Sequence, residues 1–428
     1  GYDTQFVENI DARKQLKDWK SLNYDDSGWQ DACLKKDDDY TMVEQITPPL
    51  AVYEVKPALI KELEDGTYLL DFGKEIVGGL KFKGKGNRGS TVRILCGEEL
   101  QDNGHVRYDM RCNICYDEIW TLSGDIDEIE NYDYKGFRYV ELMIEDNPIG
   151  PDQFSAVVRH YPLVQEAAFQ SSDTLLNRIW EICANGVIMG SQEAFLDCPQ
   201  REKGQYLGDM TVTALSHTYL SGDHRLYRKA LKDFANSTFI CNGMMAVAPG
   251  SFMQEIADFS LMYPLQLLHY YHLTGDTDFV KELLPVAEDV VDYFQKYGRA
   301  DGLIEKVTDK WNLVDWPVNL RDGYDFELTK PVGEGCHTVL NAYYYGARET
   351  VNQLRKWLGM ENKYQNDELK AAFFRAFYDP HTGLFTDSES SNHPSLHSNV
   401  LPLFYQMMEE NESEPIIDFI NNILANGL

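Results

Sequence analysis

The feature that most constrains this chain is a change of hydrophobic period near residue 165. Before it, short runs rich in Tyr, Val, Ile and Phe alternate with Gly and Asp turns. Tyr68-Leu69-Leu70-Asp71-Phe72, Leu80-Lys81-Phe82-Lys83, Thr91-Val92-Arg93-Ile94-Leu95 and Arg138-Tyr139-Val140-Glu141-Leu142-Met143 are examples. Many short strands with regular turns predict an antiparallel β-sandwich over residues 48–165. From about residue 170 the period becomes helical. Ser171-Ser172-Asp173 is a capping signal for a run from Thr174 to Phe195, and further helical runs cover about 209–221, 224–238, 254–274, 276–298, 336–358, 365–378, 396–409 and 413–426. These successive helices carry no repeat strong enough for a solenoid. Paired as hairpins with functional loops on one side, they fit an (α/α)6-type helical barrel over 166–428. Six hairpins need two helices each, more than the chain supplies, so the barrel is expected to be incomplete and the chain to be a fragment. Residues 1–47, with Trp19, Asp25-Asp26-Ser27-Gly28-Trp29 and Lys35 to Asp39, are polar and loop-rich, as in a remnant of an N-terminal accessory β module.

At 428 residues the chain exceeds what one hydrophobic core serves, so two or three domains are expected. A net charge of -30 argues against nucleic-acid or anionic-membrane partners, since both call for clustered Lys and Arg. It leaves a neutral carbohydrate open as ligand. No apolar run is long enough for a transmembrane helix, and Gly1 to Phe6 has no signal-peptide pattern. The eight scattered cysteines are unlike a dense disulfide framework, which makes the cytoplasm the default compartment, although a removed signal would leave the same sequence. The sequence calls for no cofactor and no metal, and it allows a homo-oligomer without specifying one.

One segment concentrates chemistry. Asp197-Cys198-Pro199-Gln200-Arg201-Glu202-Lys203-Gly204-Gln205-Tyr206-Leu207-Gly208-Asp209 packs three carboxylates, a guanidinium and an aromatic ring between two helical patterns. Carboxylates crowded this closely repel one another when all are ionised, so at least one is expected to hold its proton to higher pH. Such a group can serve as a general acid, while the others and Arg201 hydrogen-bond a polyhydroxylated ligand. The plainer alternative makes Asp209 a helix N-cap and Glu202 and Lys203 a solvated loop.

This segment resembles the signature of the α-L-rhamnosidases of glycoside hydrolase family 78, in which Asp-Cys-Pro-X-Arg-Glu is followed by an aromatic and then by Gly-Asp or Glu-Asp. Ile256-Ala257-Asp258-Phe259-Ser260 is similar to the family's Asp-Tyr-Ser element. Ser391-Asn392-His393-Pro394-Ser395-Leu396-His397-Ser398-Asn399 is similar to its Ser-X-His-X-Asn element. Trp311-Asn312-Leu313-Val314-Asp315-Trp316-Pro317 matches its Asp-Trp. In the β part, Gly66 to Glu75 and Gly136 to Glu141 resemble the sandwich before the family's barrel. The resemblance implies an inverting exo-glycosidase that removes terminal α-L-rhamnose, with Glu202 as general acid. Asp197, Arg201 and Asp209 would hold sugar hydroxyls. Tyr206, where many relatives carry Trp, would pack on the sugar together with Trp316, and Asp315 would contact hydroxyls. Asp258 and His397 would line the pocket, or else cap helices.

The family's general base is a later Glu outside this chain. Glu334 and Glu389 are the loop glutamates that could stand in, and neither matches the base motif. The chain alone is therefore expected to be inactive or nearly so. Two other readings stay open: another (α/α)-barrel glycosidase or unsaturated uronyl hydrolase, and a non-catalytic carbohydrate-binding protein. Three motif matches are set aside. Gly84-Lys85-Gly86-Asn87-Arg88-Gly89 fits GxGxxG but joins two strands, whereas a dinucleotide fingerprint must open a helix. Lys135 to Val140 partly matches an RNA-recognition strand in a chain too acidic for that use. Cys112-Asn113-Ile114-Cys115 is a lone CxxC without a second pair at zinc spacing.

Overall fold

A computed structural model describes residues 7–34, 41–110, 114–145, 148–312, 314 and 335–426. The chain divides into two compact units, Gly1–Lys203 and Gly204–Leu428.

The first unit is a nine-stranded sheet: β1 (Ile10–Asp11), β2 (Ala51–Val55), β3 (Leu59–Glu62), β4 (Tyr68–Lys85), β5 (Thr91–Gly97), β6 (Asp117–Thr121), β7 (Ile126–Glu130), β8 (Lys135–Ile144) and β9 (Phe154–His160). Hydrogen bonding runs through it in the order β1-β6-β5-β8-β4-β9-β2, with β3 and β7 also pairing β4. The stretch expected to come from another module thus contributes a strand, β1, paired in parallel with Trp120 and Thr121 of β6. The β4–β5 connection carries the GxGxxG and opens no helix.

Strand β4 is eighteen residues long and changes partners along its length. Tyr68 to Asp71 pair with β3 and β8, while Gly78 to Phe82 pair with β9 and Lys81 to Lys85 with β7. Between Asp71 and Ile76 the register with β8 shifts, and Gly73 takes φ of 82°, a conformation glycine adopts without a Cβ clash. The bend is held by Arg138, whose Nε and Nη2 donate to the two carboxylate oxygens of Asp71 at 2.8 and 2.9 Å. Trp120, Phe137, Phe82 and Phe154 fill the core beside the sheet, each about fully buried. Phe72 meets Phe137 edge-on at 5.7 Å.

Helix α1 (Thr174–Gly190) belongs to this unit despite its helical period. Asp173 caps it through Leu175 N, and Ile188 and Met189 pack into the sheet's core. It stops at Gly190, five residues short of the sequence expectation, because Ser191 to Phe195 fold back as an isolated β-bridge. Asn185 ties the helix to the β4 bend by donating from Nδ2 to the Glu75 carbonyl at 3.0 Å.

The second unit holds α2 (Leu207–Ser221), α3 (Arg225–Asn236), α4 (Ala257–Thr274), α5 (Thr277–Tyr293), α6 (Thr338–Trp357), α7 (Asp367–Phe377), α8 (Leu396–Phe404) and α9 (Glu414–Asn426), with the two-stranded ribbons β10–β11 (Ala246–Ala248, Phe252–Glu255) and β12–β13 (Tyr378–Asp379, Leu384–Phe385). The helix expected from residue 254 begins at Ala257, because the preceding residues pair as β11 with β10. Helix α4 packs against α2, α5 and α6, and buried residues occur around most of its circumference. Tyr227 of α3 locks onto it, its hydroxyl donating to the carbonyl and Oε1 of Gln266 at 2.8 Å. No described helix is long and apolar enough to cross a membrane.

Two stability predictions follow from the first unit. Phe137→Ala removes a core ring and is expected to cost about 3–5 kcal/mol by urea denaturation. Glu75 lies in the β4 bend with its Oε1 buried and without a hydrogen-bond partner. Burial first, and the neighbouring Glu98 second, push its pKa from the ordinary 4.5 up to about 8. The folded chain therefore keeps a proton that the unfolded chain releases, so stability should fall as pH rises from 4.5 towards 8 and level off above that. The slope from this group is at most about 1.4 kcal/mol per pH unit. Glu75→Gln should remove that slope, measured as the urea midpoint at successive pH values.

Candidate functional site

The segment from Ser191 to Tyr206 is an irregular connection between α1 and α2 with a dense set of backbone anchors. Tyr161 N donates to Ser191 O at 2.7 Å, and Leu196 N to Gly190 O at 2.9 Å. Gln192, fully buried, donates from Nε2 to the carbonyls of Arg159 and Met189 at 3.0 and 2.9 Å. These bonds pin the start of the loop to the end of β9. Further along, Pro199 rests on Gly136 of β8. A Cβ on Gly136 would stand 2.7 Å from Pro199 Cγ and 3.1 Å from Glu75 Oε1, so only glycine permits this approach.

Within the first unit the loop presents Asp197, Arg201 and Glu202. Arg201 Nε donates to Glu202 Oε1 at 3.0 Å, and the two side chains are 34% and 17% exposed. Glu202 is thus oriented by its neighbour and largely withdrawn from water, unlike the solvated-loop alternative. Lys203 is also withdrawn: its Nζ donates to Asp133 Oδ2 at 2.6 Å and to Tyr134 O at 2.8 Å. Burial, the larger effect, lowers the Lys203 pKa, while Asp133 opposes the shift. Burial also raises the Cys198 thiol, with the neighbouring Asp197 adding to the effect, so this cysteine is a poor thiolate near neutral pH.

In the second unit Tyr206 is the N-cap residue of α2, and Asp209 lies exposed in that helix's first turn instead of capping it. The Tyr206 ring packs with Phe259 and Trp311 around Val247, Ala248 and Ile256. Trp311 is held there by a parallel bridge to Ile256 and by Ala257 N donating to its carbonyl at 2.8 Å. Asp258 sits in the first turn of α4, 1% exposed, where Ile256 is the cap. The fold therefore gathers Tyr206, Asp258 and Trp311 around the N-terminus of α4. The bridge from Trp311 to Ile256, two residues before Asp258, is a long-range pairing that no local pattern reveals.

His397 lies half-buried in the first turn of α8. Its flanking residues are structural. Ser395 caps α8 through Ser398 N, and buried Asp387 accepts from His393 Nδ1, Ser395 N and Ser398 Oγ at 2.6, 2.9 and 2.7 Å. Asn399 accepts from Phe385 N at 2.9 Å and donates to the carbonyls of Phe385 and Ser395. Asp315, Trp316 and Glu334 lie outside the described residues, as does Cys112. Glu389 accepts from Arg299 Nη1 at 2.7 Å, an ion-pair role.

Among the described residues, Asp65, His105 and Glu141 bring possible metal-ligand atoms within 4.8 Å of one another. Their hydrogen bonds already form a closed set. Glu141 is taken up by His105 Nδ1 at 2.9 Å, Thr67 Oγ1 at 3.2 Å and Val106 N at 3.0 Å. The hydrogen bond that His105 donates to Glu141 raises the His105 pKa, as expected of an ion-paired imidazole.

The profile of the bacterial alpha-L-rhamnosidase six-hairpin glycosidase domain matches residues 164–422, and that of the bacterial alpha-L-rhamnosidase concanavalin-like domain matches residues 61–160. An alpha-L-rhamnosidase of Formosa agariphila is 23% identical over 96% of this chain and 45% of its own length. One from Streptomyces avermitilis is 25% identical over 92% of this chain and 38% of its own. Among solved structures, the alpha-L-rhamnosidase from Dictyoglumus thermophilum superposes with a TM-score of 0.80 at 24% identity, covering 97% of this chain and 47% of that one. The Streptomyces avermitilis alpha-L-rhamnosidase complexed with L-rhamnose gives 0.79 at 22% identity, covering 99% and 40%. The chain thus spans less than half the length of these relatives. With its helical unit and its sheet each matched, and the six-hairpin profile alone spanning more than half of its residues, the chain belongs to the bacterial α-L-rhamnosidase family.

Proposed function

We propose that the protein carrying this chain is a glycoside hydrolase that removes terminal non-reducing α-L-rhamnose from rhamnosides by an inverting acid/base mechanism. The observation that carries the proposal is the Asp197–Asp209 segment itself. Glu202 is withdrawn from water and oriented by Arg201 at 3.0 Å, on a loop anchored at both Gln192 and Lys203. In this reading Glu202 protonates the departing glycosidic oxygen. A second carboxylate activates water on the opposite face of the sugar. Inverting enzymes hold the two carboxyl groups about 6.5–9.5 Å apart to leave room for that water.

The remaining roles are those that the family resemblance implies. Asp197, Arg201 and Asp209 hydrogen-bond rhamnose hydroxyls, with Asp258, Asp315 and His397 completing the polar wall. Tyr206 and Trp316 offer apolar faces to a 6-deoxy sugar, whose methyl group calls for such a wall. The architecture in this proposal is a β-sandwich over 48–165 followed by an (α/α)6-type barrel over 166–428. The two profile matches and the TM-scores near 0.8 support it. The ligand is a neutral carbohydrate, in keeping with a chain of net charge -30.

The test is release of L-rhamnose from a rhamnosyl disaccharide by the full-length gene product, with Glu202→Gln alongside. A poor leaving group needs its proton, so the variant should lose about 10²–10⁴-fold in kcat. On an aryl rhamnoside with an activated leaving group the loss should be much smaller. Equal release from the disaccharide by both proteins would remove Glu202 from the role of acid. No release by either would remove rhamnosides as substrate.

A further inference from the structure

The residue after the proposed acid has an uncommon backbone. Lys203 takes φ of 50°, one of four non-glycine residues with positive φ among those described. A lysine gains nothing locally from the left-handed region, so its surroundings must hold it there. Those surroundings are unusually complete. Lys203 Nζ donates to Asp133 Oδ2 at 2.6 Å and to Tyr134 O at 2.8 Å, and it lies 4.1 Å from the centre of the Tyr134 ring. Its side chain is 11% exposed.

The dock that receives it is itself braced. Asp133 Oδ1 accepts from Tyr134 N at 2.9 Å, fixing the carboxylate. The carboxylate of Glu8 accepts from Tyr132 N and Asp133 N, both at 2.8 Å, closing the turn from the other side. Asn131 before it is stitched to β4, with Leu80 N donating to its Oδ1 at 2.8 Å and its own N donating to Leu80 O at 3.1 Å. A left-handed residue reverses the chain direction at once. The direction in which Glu202 leaves the backbone therefore depends on where Lys203 is anchored.

We propose that Lys203 is a positioning residue for Glu202: its clamp on Asp133 and Tyr134 holds the left-handed turn that sets the carboxyl's aim. The proposal rests on Glu202 being the general acid. It makes a selective claim, because a misaimed acid hurts only those substrates whose leaving group needs a proton.

The experiment uses the full-length protein and compares a rhamnosyl disaccharide with an activated aryl rhamnoside. Lys203→Met removes the clamp. Lys203→Gly also removes it but keeps access to positive φ, and Asp133→Asn weakens it while leaving the lysine in place. Lys203→Arg restores a cation. Expected are a loss of about 10–100-fold in kcat on the disaccharide for Lys203→Met, less than about 3-fold on the aryl substrate, inhibition by free L-rhamnose unchanged, and partial recovery with arginine. If Lys203→Met does not fold, Lys203→Gly and Asp133→Asn carry the same comparison. Equal losses on both substrates, or none on either, would overturn the proposal. Glu202→Gln is the control that separates the two ideas. If it shows the leaving-group selectivity and the Lys203 variants do not, only the positioning role fails. If it lacks that selectivity, the acid assignment fails and the positioning role with it.

Discussion

A strand of eighteen residues cannot leave its amides and carbonyls unpaired, and the first unit is organised around how β4 satisfies them. It does so on four neighbours, β3, β7, β8 and β9, by bending between Asp71 and Ile76. Each half of the strand then fixes something the candidate site uses. The first half places Asp71 against Arg138 and brings the Glu75 carbonyl to Asn185 of α1, the helix that leads into the loop. The second half pairs with β7 and holds Asn131, from which the Tyr132–Tyr134 turn departs. Hydrogen bonds and one short turn thus link the middle of a sheet to the side chain of Lys203, the residue after Glu202.

Electrostatics in this acidic chain work through a few withdrawn cations. Lys135 and Glu118 form an ion pair at 2.7 Å with side chains 3% and 1% exposed, and Lys203 is met by Asp133. Buried pairs of this kind add little net stability, because desolvation offsets most of the attraction. Losing one partner is costly, since the other charge is then stranded. Their value lies in specifying one arrangement. In this chain the Lys203–Asp133 pair lies at the turn on which the loop rests.

Much of the architecture was legible in the sequence. The period switch separated strands from helices, and the runs at 68–72, 80–83, 91–95 and 138–143 all fall within β4, β5 and β8. The helical runs correspond one for one to α1 through α9, with ends shifted where nonlocal pairing wins. Ser191 to Phe195 folds back instead of extending α1, and β11 takes the residues before α4. Sequence could not show that α1 belongs with the sheet, because an amphipathic helix packs equally well on a sheet or on another helix. The plainer alternative for Lys203 and Asp209, a solvated loop and a helix cap, is not what the structure holds. A charged loop residue looks solvated until the dock that buries it is known, and Asp before an apolar run looks like a cap until Tyr206 is found in that place. The Asp197–Asp209 cluster was visible because its residue types are chemically unusual together, whereas its support is spread over Glu8, Asp133 and Gln192, which carry no local signal.

The contact between Gly136 and Pro199 joins a position inside a strand to the most chemically charged loop of the chain. Strand interiors ordinarily tolerate exchange among β-branched and aromatic residues, and such exchanges strengthen a sheet. At this one position the sheet's preference and the loop's requirement conflict. A substitution that improves β8 as a strand would push the loop away and be seen as a loss of function with intact folding. Stability engineering guided by strand propensity alone would therefore select against the site at Gly136, and the residue marks where this fold trades a stronger sheet for a closer loop.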